Sequence, residues 1–118
     1  MKPPSVAHVT FDCSGEASGL ARFWAALLEL PVDDGANEFF ATVGRAVGAT
    51  PVLMFIRVPD KNPGKNVVHL DLRGDDLAAQ VRRAIELGAE HMGDFDEYGV
   101  NWATLRDPEG NLFDIGGD

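Results

Sequence analysis

Two histidines occupy matching places in the two halves of this 118-residue chain. His8 lies in the hexapeptide VAHVTF at residues 6–11, and His69 lies in VVHLDL at residues 67–72, an offset of 61 residues. Neutral imidazole is a common ligand of divalent transition metals, and it also forms hydrogen bonds in polar pockets. The repeat therefore has two interpretations, a pair of metal ligands or a pair of polar pocket residues.

Charged side chains share a strand face with each histidine. Side chains of a strand point alternately to opposite sides, so the face of His8 also carries Thr10 and Asp12. The equivalent face of the second half carries Asp71 and Arg73. A polar ligand pocket would explain this charge, with Arg73 holding a carboxylate or phosphate. An internal salt bridge of Arg73 with Asp12 or Asp71 would explain it equally well.

Each histidine strand leads into an amphipathic helix. In the first half the apolar spacing predicts a strand near 5–13, a helix near 16–29, and further strands near 38–43, 45–47 and 52–58. A turn-rich connector follows at 59–66. The two halves are therefore predicted to be packed modules of one domain spanning residues 1–118, with modules at about 5–59 and 66–118.

The second half repeats this order of elements. It predicts a strand near 66–73, a helix capped by Asp75 or Asp76 and ended by Gly88, and strands near 90–94, 101–106 and 111–115. Asp107 begins a DPEG sequence that fits a type I turn between the last two strands. Each half thus reads as one strand, one helix and about three strands, which predicts the α+β class.

Composition limits the partners and the compartment. The chain has a formal net charge of −9, 45% hydrophobic residues and a single cysteine. Such a charge repels nucleic acid and anionic membranes, and the sequence shows no signal peptide or membrane-spanning apolar run. One cysteine excludes an internal disulfide framework and suits a reducing compartment. We therefore expect a cytoplasmic protein with a small-molecule ligand, and neither nucleic acid nor membrane as a partner.

Four stretches of the sequence together resemble a known superfamily. They are HVTFD at 8–12, LARFWAALL at 20–28, VHLDLRGDDL at 68–77 and LRDPEGNLFD at 105–114. The chain resembles the vicinal oxygen chelate superfamily, also called the glyoxalase/bleomycin resistance/dioxygenase superfamily, and within it the glyoxalase-like domain proteins. This resemblance implies two βαβββ modules whose curved mixed sheets surround a U-shaped cavity, and it implies a homodimer.

The resemblance also implies where a divalent metal would be held. Metal-dependent members take one ligand from the first and last strand of each module, which here gives His8, His69 and Asp114. The last strand of the first module should supply a fourth donor, and its matching residue is identified as Ile56, which has no donor atom. Zn, Ni, Mn or Fe would suit two imidazoles and a carboxylate. A metal-free pocket is the favoured alternative, because Ile56 offers no ligand and Asp114 is shorter than the usual Glu.

Two functions follow from the resemblance, and no catalytic residue is assigned for either. The first is a metal-dependent lyase or isomerase acting on a substrate with vicinal oxygens, although glyoxalase I itself is disfavoured by Ile56. The second is a metal-free dimeric binding protein of the bleomycin-resistance type that sequesters a cationic antibiotic or other ligand. In both, the expected ligand-binding residues are Thr10, Asp12, Met54, Ile56, Asp71, Arg73 and Trp102.

Overall fold

The computed structural model describes residues 2–117. Its internal contacts divide the chain into two compact units, Met1–Lys61 and Asn62–Asp118. The division falls inside the turn-rich connector near 59–66. Among the described residues, no helix has both the length and the apolar character needed to cross a membrane.

The first unit contains one helix and a three-stranded mixed sheet. Its elements are β1 (His8–Cys13), α1 (Ala17–Leu28), β2 (Phe40–Val43) and β3 (Val52–Arg57). The sheet order is β1-β3-β2, with β1 parallel and β2 antiparallel to β3. An isolated bridge from Val32 to Val43 extends this order beyond β2.

The strand predicted near 45–47 is wrong. These residues form a turn, because the Asp33 carboxylate accepts hydrogen bonds from the backbone N–H groups of Arg45 at 3.0 Å and Ala46 at 2.8 Å. The preceding Gly44 has a φ of 88°, a left-handed conformation that favours glycine and turns the chain out of β2. The bridge from Val32 to Val43 lies beside β2 at the edge of the sheet, and residues 45–47 form no strand.

The core of the first unit lies between α1 and one face of the sheet. Trp24 of α1 and Phe55 of β3 are completely buried, and the Phe11 ring lies 5.3 Å from Trp24 and 5.1 Å from Phe55 between ring centroids. The alternate residues of β1, including His8 and Asp12, are exposed on the other face. Burial of the aromatic side chains thus fixes which face of β1 remains polar.

The second unit is a complete βαβββ module. Its elements are β4 (Leu70–Gly74), α2 (Leu77–Leu87), β5 (Glu90–Glu97), β6 (Val100–Arg106) and β7 (Leu112–Gly117). The sheet order is β4-β7-β6-β5, with β4 parallel to β7 and the other pairs antiparallel. Across residues 2–117 the chain thus has seven strands and two helices in the α+β arrangement expected from the sequence.

Local signals fix the ends of elements in the second unit. Asp76 is the N-cap of α2 and accepts a hydrogen bond from the Ala79 N–H, while Gly88 ends the helix with a φ of 123°. Asp107, only 4% exposed, accepts hydrogen bonds from the backbone N–H groups of Glu109 and Asn111. The turn between β6 and β7 therefore closes around a buried carboxylate, which holds these strands in register.

Candidate functional site

The polar face of the second sheet gathers three predicted residues into one place. Strand register sets Asp71 of β4 beside Asp114 of β7, and Asp114 beside Thr104 of β6. The neighbouring positions Phe113 and Leu105 are buried, so alternation directs Asp114 and Thr104 to the opposite face. His69 immediately precedes β4 and completes the group.

His69, Asp71 and Asp114 form a compact cluster of metal-ligating groups. One ligand atom from each residue lies within 4.8 Å of the others. His69 Nδ1 is 2.9 Å from Asp71 Oδ1 and 3.7 Å from Asp114 Oδ2. Asp114 is the least exposed of the three, at 21% of its side chain, and its Oδ1 accepts a 2.6 Å hydrogen bond from Thr104 Oγ1. Thr104 thus holds one carboxylate oxygen and leaves the other directed at His69.

The cluster has the donor chemistry of a divalent-cation site. Ligand bonds to zinc are about 2.0–2.2 Å, so the donors of a tetrahedral site stand roughly 3.4 Å apart. His69 Nδ1, 2.9 Å from Asp71 Oδ1 and 3.7 Å from Asp114 Oδ2, is near that separation from both carboxylates, and ligation through Nδ1 would displace the proton that it shares with Asp71. Two carboxylates also supply the two negative charges that balance such a cation. The residues present therefore fit a divalent metal at three coordination positions.

His8 lies in the first unit and has a different partner. Its Nε2 is 2.9 Å from Arg45 Nη2, and since a guanidinium only donates, Nε2 accepts this hydrogen bond. The lone pair that would ligate a metal is therefore used, beside a fixed positive charge. Arg45 is held by the turn that Asp33 organises, so no local sequence pattern indicates this contact.

Strand registers correct the assignment of the fourth ligand position. Asp114 pairs with Asp71, whose counterpart at the repeat offset is Thr10, and Thr10 pairs with Met54. When the β1–β3 pair is aligned with the β4–β7 pair in this way, Met54 corresponds to Asp114 and Ile56 corresponds to Gly116. The assignment to Ile56 is wrong by two residues, a shift that leaves the side chain on the same face. The corresponding position still lacks a carboxylate, and the Met54 thioether is a soft donor.

The other predicted ligand-binding residues lie on the two polar faces. Thr10 and Asp12 are exposed in β1, and Met54 and Ile56 are partly exposed in β3. Within the second unit, Asp71 pairs with His69, and Arg73 has no ion pair among the described residues 62–117.

Trp102 stacks on Phe95, with ring centroids 5.3 Å apart and planes 17° apart. Sequence reasoning missed Phe95 and Thr104. Thr104 is two residues from Trp102, so strand alternation could have placed it on the same face.

Comparison with protein families identifies the chain. The model of the glyoxalase-like domain matches residues 8–116. The chain belongs to the glyoxalase-like domain family. This confirms the resemblance to the vicinal oxygen chelate superfamily, and the match includes His8, His69, Asp71 and Asp114. A comparison with curated proteins found no match.

Solved structures share the fold of this glyoxalase-like domain. A glyoxalase/bleomycin resistance protein/dioxygenase family enzyme from Burkholderia phytofirmans PsJN has a TM-score of 0.80 at 16% identity, covering 97% of this chain and 98% of its own. A lactoylglutathione lyase from Agrobacterium tumefaciens has a TM-score of 0.67 at 16% identity, covering 98% and 96%. The bleomycin-binding protein from Streptomyces verticillus, solved with copper(II)-bleomycin, has a TM-score of 0.67 at 17% identity, covering 100% and 99%. At these identities the likeness establishes the fold alone.

Proposed function

We propose that this glyoxalase-like domain binds a small molecule with vicinal oxygens on the polar face of its second sheet, and that it acts as a divalent-metal-dependent lyase or isomerase. The observation that carries the proposal is the cluster of His69, Asp71 and Asp114, whose donor atoms lie within 4.8 Å of one another. The proposal keeps His69 and Asp114 from the predicted ligand set and adds Asp71. Zn, Ni, Mn and Fe are the candidate ions, since all accept imidazole and carboxylate ligands.

The residues of the cluster have separate roles in this proposal. Asp114 is the most enclosed ligand, and Thr104 orients it through the 2.6 Å hydrogen bond. Asp71, with 71% of its side chain exposed, is free to move toward the ion. A bound cation would polarise a substrate carbonyl and stabilise negative charge that develops on oxygen. Three protein ligands leave coordination positions for the two vicinal oxygens of a substrate.

Metal analysis tests this function directly. Untagged protein is reconstituted in turn with Zn²⁺, Ni²⁺, Mn²⁺ and anaerobic Fe²⁺, and the bound metal is quantified after desalting. We expect one metal per chain with at least one ion, and loss of that metal in Asp114→Asn and His69→Ala. No bound metal with any of the four ions would overturn the metal-dependent proposal.

A second histidine–aspartate pair provides a matched control. His91 Nε2 lies 2.8 Å from Asp94 Oδ1, a contact as short as that of His69 with Asp71. His91 and Asp94 belong to no three-residue cluster among the described residues. Asp94→Asn should therefore leave the metal content unchanged. Equal loss of metal in Asp94→Asn and Asp114→Asn would indicate nonspecific binding to surface carboxylates.

Metal-free sequestration of a cationic ligand is the second candidate. It is supported by the contact between Arg45 and His8 Nε2, which uses a predicted metal ligand, and by Met54 at the position corresponding to Asp114. The exposed carboxylates of the polar face and the net charge of −9 would attract a cation. Calorimetric titration with metal-free bleomycin in EDTA tests it: saturable heat that Asp71→Asn reduces would support this candidate, and heat equal to dilution would oppose it.

A further inference from the structure

A glycine interrupts the polar face of the second sheet beside the His69–Asp71–Asp114 cluster. Four residues that pair across neighbouring strands form one row on this face: Arg73 on β4, Gly116 on β7, Trp102 on β6 and Phe95 on β5. Neighbouring strands lie about 4.8 Å apart, so Gly116 separates the backbones of Arg73 and Trp102, which are roughly 10 Å apart. The face is thus charged at one side, aromatic at the other, and bare between them.

Neither the backbone nor the packing requires glycine at this position. Gly116 is absent from the residues with positive φ. A Cβ added there would lie 3.7 Å from the Leu72 carbonyl oxygen and 3.8 Å from that of Asn101, both ordinary contacts. Glycine weakens the interior of a strand and often marks a place where a ligand approaches the backbone. The missing side chain therefore leaves an open bay on the sheet surface at Gly116, between Arg73 and Trp102. Neither backbone conformation nor packing accounts for this bay.

The aromatic side of the bay is held in a defined position. The Trp102 and Phe95 rings are stacked at 5.3 Å, and a Cβ added to Gly93 would lie 3.4 Å from the edge of the Phe95 ring. Phe95 therefore lies over Gly93 and supports Trp102. Among the described residues, and outside its chain neighbours, a Cβ at Gly116 would have two atoms within 4 Å, both backbone oxygens, and neither belongs to Trp102. The aromatic pair borders the bay and leaves its floor clear.

The opposite side of the bay presents an available cation. Arg73 is exposed at the end of β4. Among residues 62–117 it has no ion pair, and Asp71, two residues before it on the same face, contacts His69. A guanidinium binds a carboxylate through two parallel hydrogen bonds, and an indole ring binds another planar ring through stacking or edge contacts.

We propose that this bay is a subsite for a planar aromatic carboxylate. The ring lies on the backbone at Gly116 against Trp102, and its carboxylate is held by Arg73. Gly116 and Asp114 are two residues apart along β7, a rise of about 6.7 Å. Substituents on the ring can therefore point along the strands toward the cluster. The inference rests on the proposed function in one respect, that the bay and the His69–Asp71–Asp114 cluster share one face of the second sheet. It names the class of substrate that this face would bind.

Binding of benzoate to the metal-free protein in EDTA tests the subsite. Titration is followed by ¹H–¹⁵N correlation spectra, observing the Gly116 amide and the Trp102 indole N–H. Cyclohexanecarboxylate tests the need for a planar ring, and benzyl alcohol tests the need for the charge. We expect saturable benzoate shifts at these two groups and affinity for each comparison compound lower by about tenfold or more. Equal affinities for all three compounds would overturn the proposal.

Two pairs of variants separate the subsite from changes in folding. Gly116→Ala places a methyl group on the floor of the bay, whereas Gly117→Ala adds one on the other face, 4.0 Å from Leu77 Cβ. Arg73→Gln removes the binding charge, whereas Arg82→Gln removes an exposed charge from α2. We expect about tenfold weaker benzoate binding in the first member of each pair and unchanged binding in the second. Unchanged binding in Gly116→Ala, with an otherwise native spectrum, would overturn the proposal.

The same titration distinguishes this subsite from the proposed function. If benzoate binds in EDTA with the expected dependence on Arg73 and Gly116 while no metal binds at all, the subsite stands and the metal-dependent function fails. If one metal binds per chain but benzoate causes no shift with or without that metal, the function stands and the subsite is overturned.

Discussion

At the scale of single residues, Asp33 shows how one carboxylate positions another functional group. It accepts hydrogen bonds from Thr42 Oγ1 at 2.6 Å and from the backbone N–H groups of Arg45 and Ala46. These contacts form the turn from which Arg45 reaches His8 Nε2. The hydrogen-bond partner of the candidate site residue His8 is therefore positioned from a loop 25 residues away in sequence, by a side chain that does not itself contact the imidazole.

The pKa of Asp33 predicts how this turn responds to acid. Burial raises the pKa, but the hydrogen bonds from Thr42, Ala46 and Arg45, with the nearby Arg45 charge, outweigh it and hold the pKa below 3.8. A carboxyl group with a lower pKa in the folded state stabilises folding above its unfolded pKa, and this contribution disappears as pH falls through the folded value.

The measurement is urea unfolding of the wild type and Asp33→Asn between pH 7 and pH 2.5. We expect Asp33→Asn to have the lower midpoint at pH 7 and the difference to shrink below about pH 4. Asp34→Asn, at the exposed neighbouring carboxylate, is the control and should follow the wild type closely. A difference that grows toward low pH would contradict this account of the Asp33 interactions.

At the scale of elements, the two helices begin in different ways. The N-cap of α1 is Glu16, which has extended backbone and no side-chain capping bond, while Asp76 caps α2 by accepting from the Ala79 N–H. Helix α1 also buries many more side chains, seven residues against two for α2. The less buried helix therefore depends more on its terminal hydrogen bond, since packing contributes less to its stability.

We predict that Asp76→Ala lowers the free energy of unfolding by about 1 kcal/mol, because an orphan N–H at the helix start loses its acceptor. Asp75→Ala is the matched control at the adjacent exposed aspartate, and it should change stability by less than about half as much. Chemical denaturation monitored by circular dichroism measures both. Equal losses of unfolding free energy in the two variants would show that the negative charge at this helix end, and not the capping hydrogen bond, stabilises α2.

At the scale of the whole molecule, the dominant physical property is its negative charge. The net charge is −9 in 118 residues. Like charges held close together in a folded chain repel each other and reduce stability, while they favour solubility. The same charge would attract the cations of both proposed functions. At low ionic strength it should therefore lower the free energy of unfolding while favouring the binding of a cation.

Stability should therefore rise with salt. Added NaCl shortens the screening length from about 30 Å at 0.01 M to about 8 Å at 0.15 M, so we expect the melting temperature in EDTA to increase by a few degrees across this range. The double variant Asp60→Asn, Glu86→Gln, with a net charge of −7 (−9 plus 2), should show a smaller increase. A melting temperature that falls with NaCl would show that attractive ion pairs outweigh the repulsion.

The sequence alone indicated the fold class and most of the elements, because apolar spacing, caps and turn residues act over a few positions at a time, and its motifs resembled those of the family that the comparison confirmed. It also placed His69, Asp71 and Arg73 on one polar face, since strand alternation depends only on parity, while Asp114 followed from the family resemblance. It could not decide between Met54 and Ile56, because a shift of two residues preserves the face and only the hydrogen-bonded register tells them apart.

Tertiary structure alone decided which polar residues meet. Asp71 contacts His69 instead of Arg73, Thr104 holds Asp114 across the β6–β7 pair, and Arg45 reaches His8 from a distant turn. The last two contacts join side chains brought together by strand pairing or by loop closure, which local sequence patterns do not encode, whereas His69 and Asp71 are two residues apart and share a strand face. Sequence thus supplied the chemical groups of the candidate site, and folding selected the partners that give each group its role.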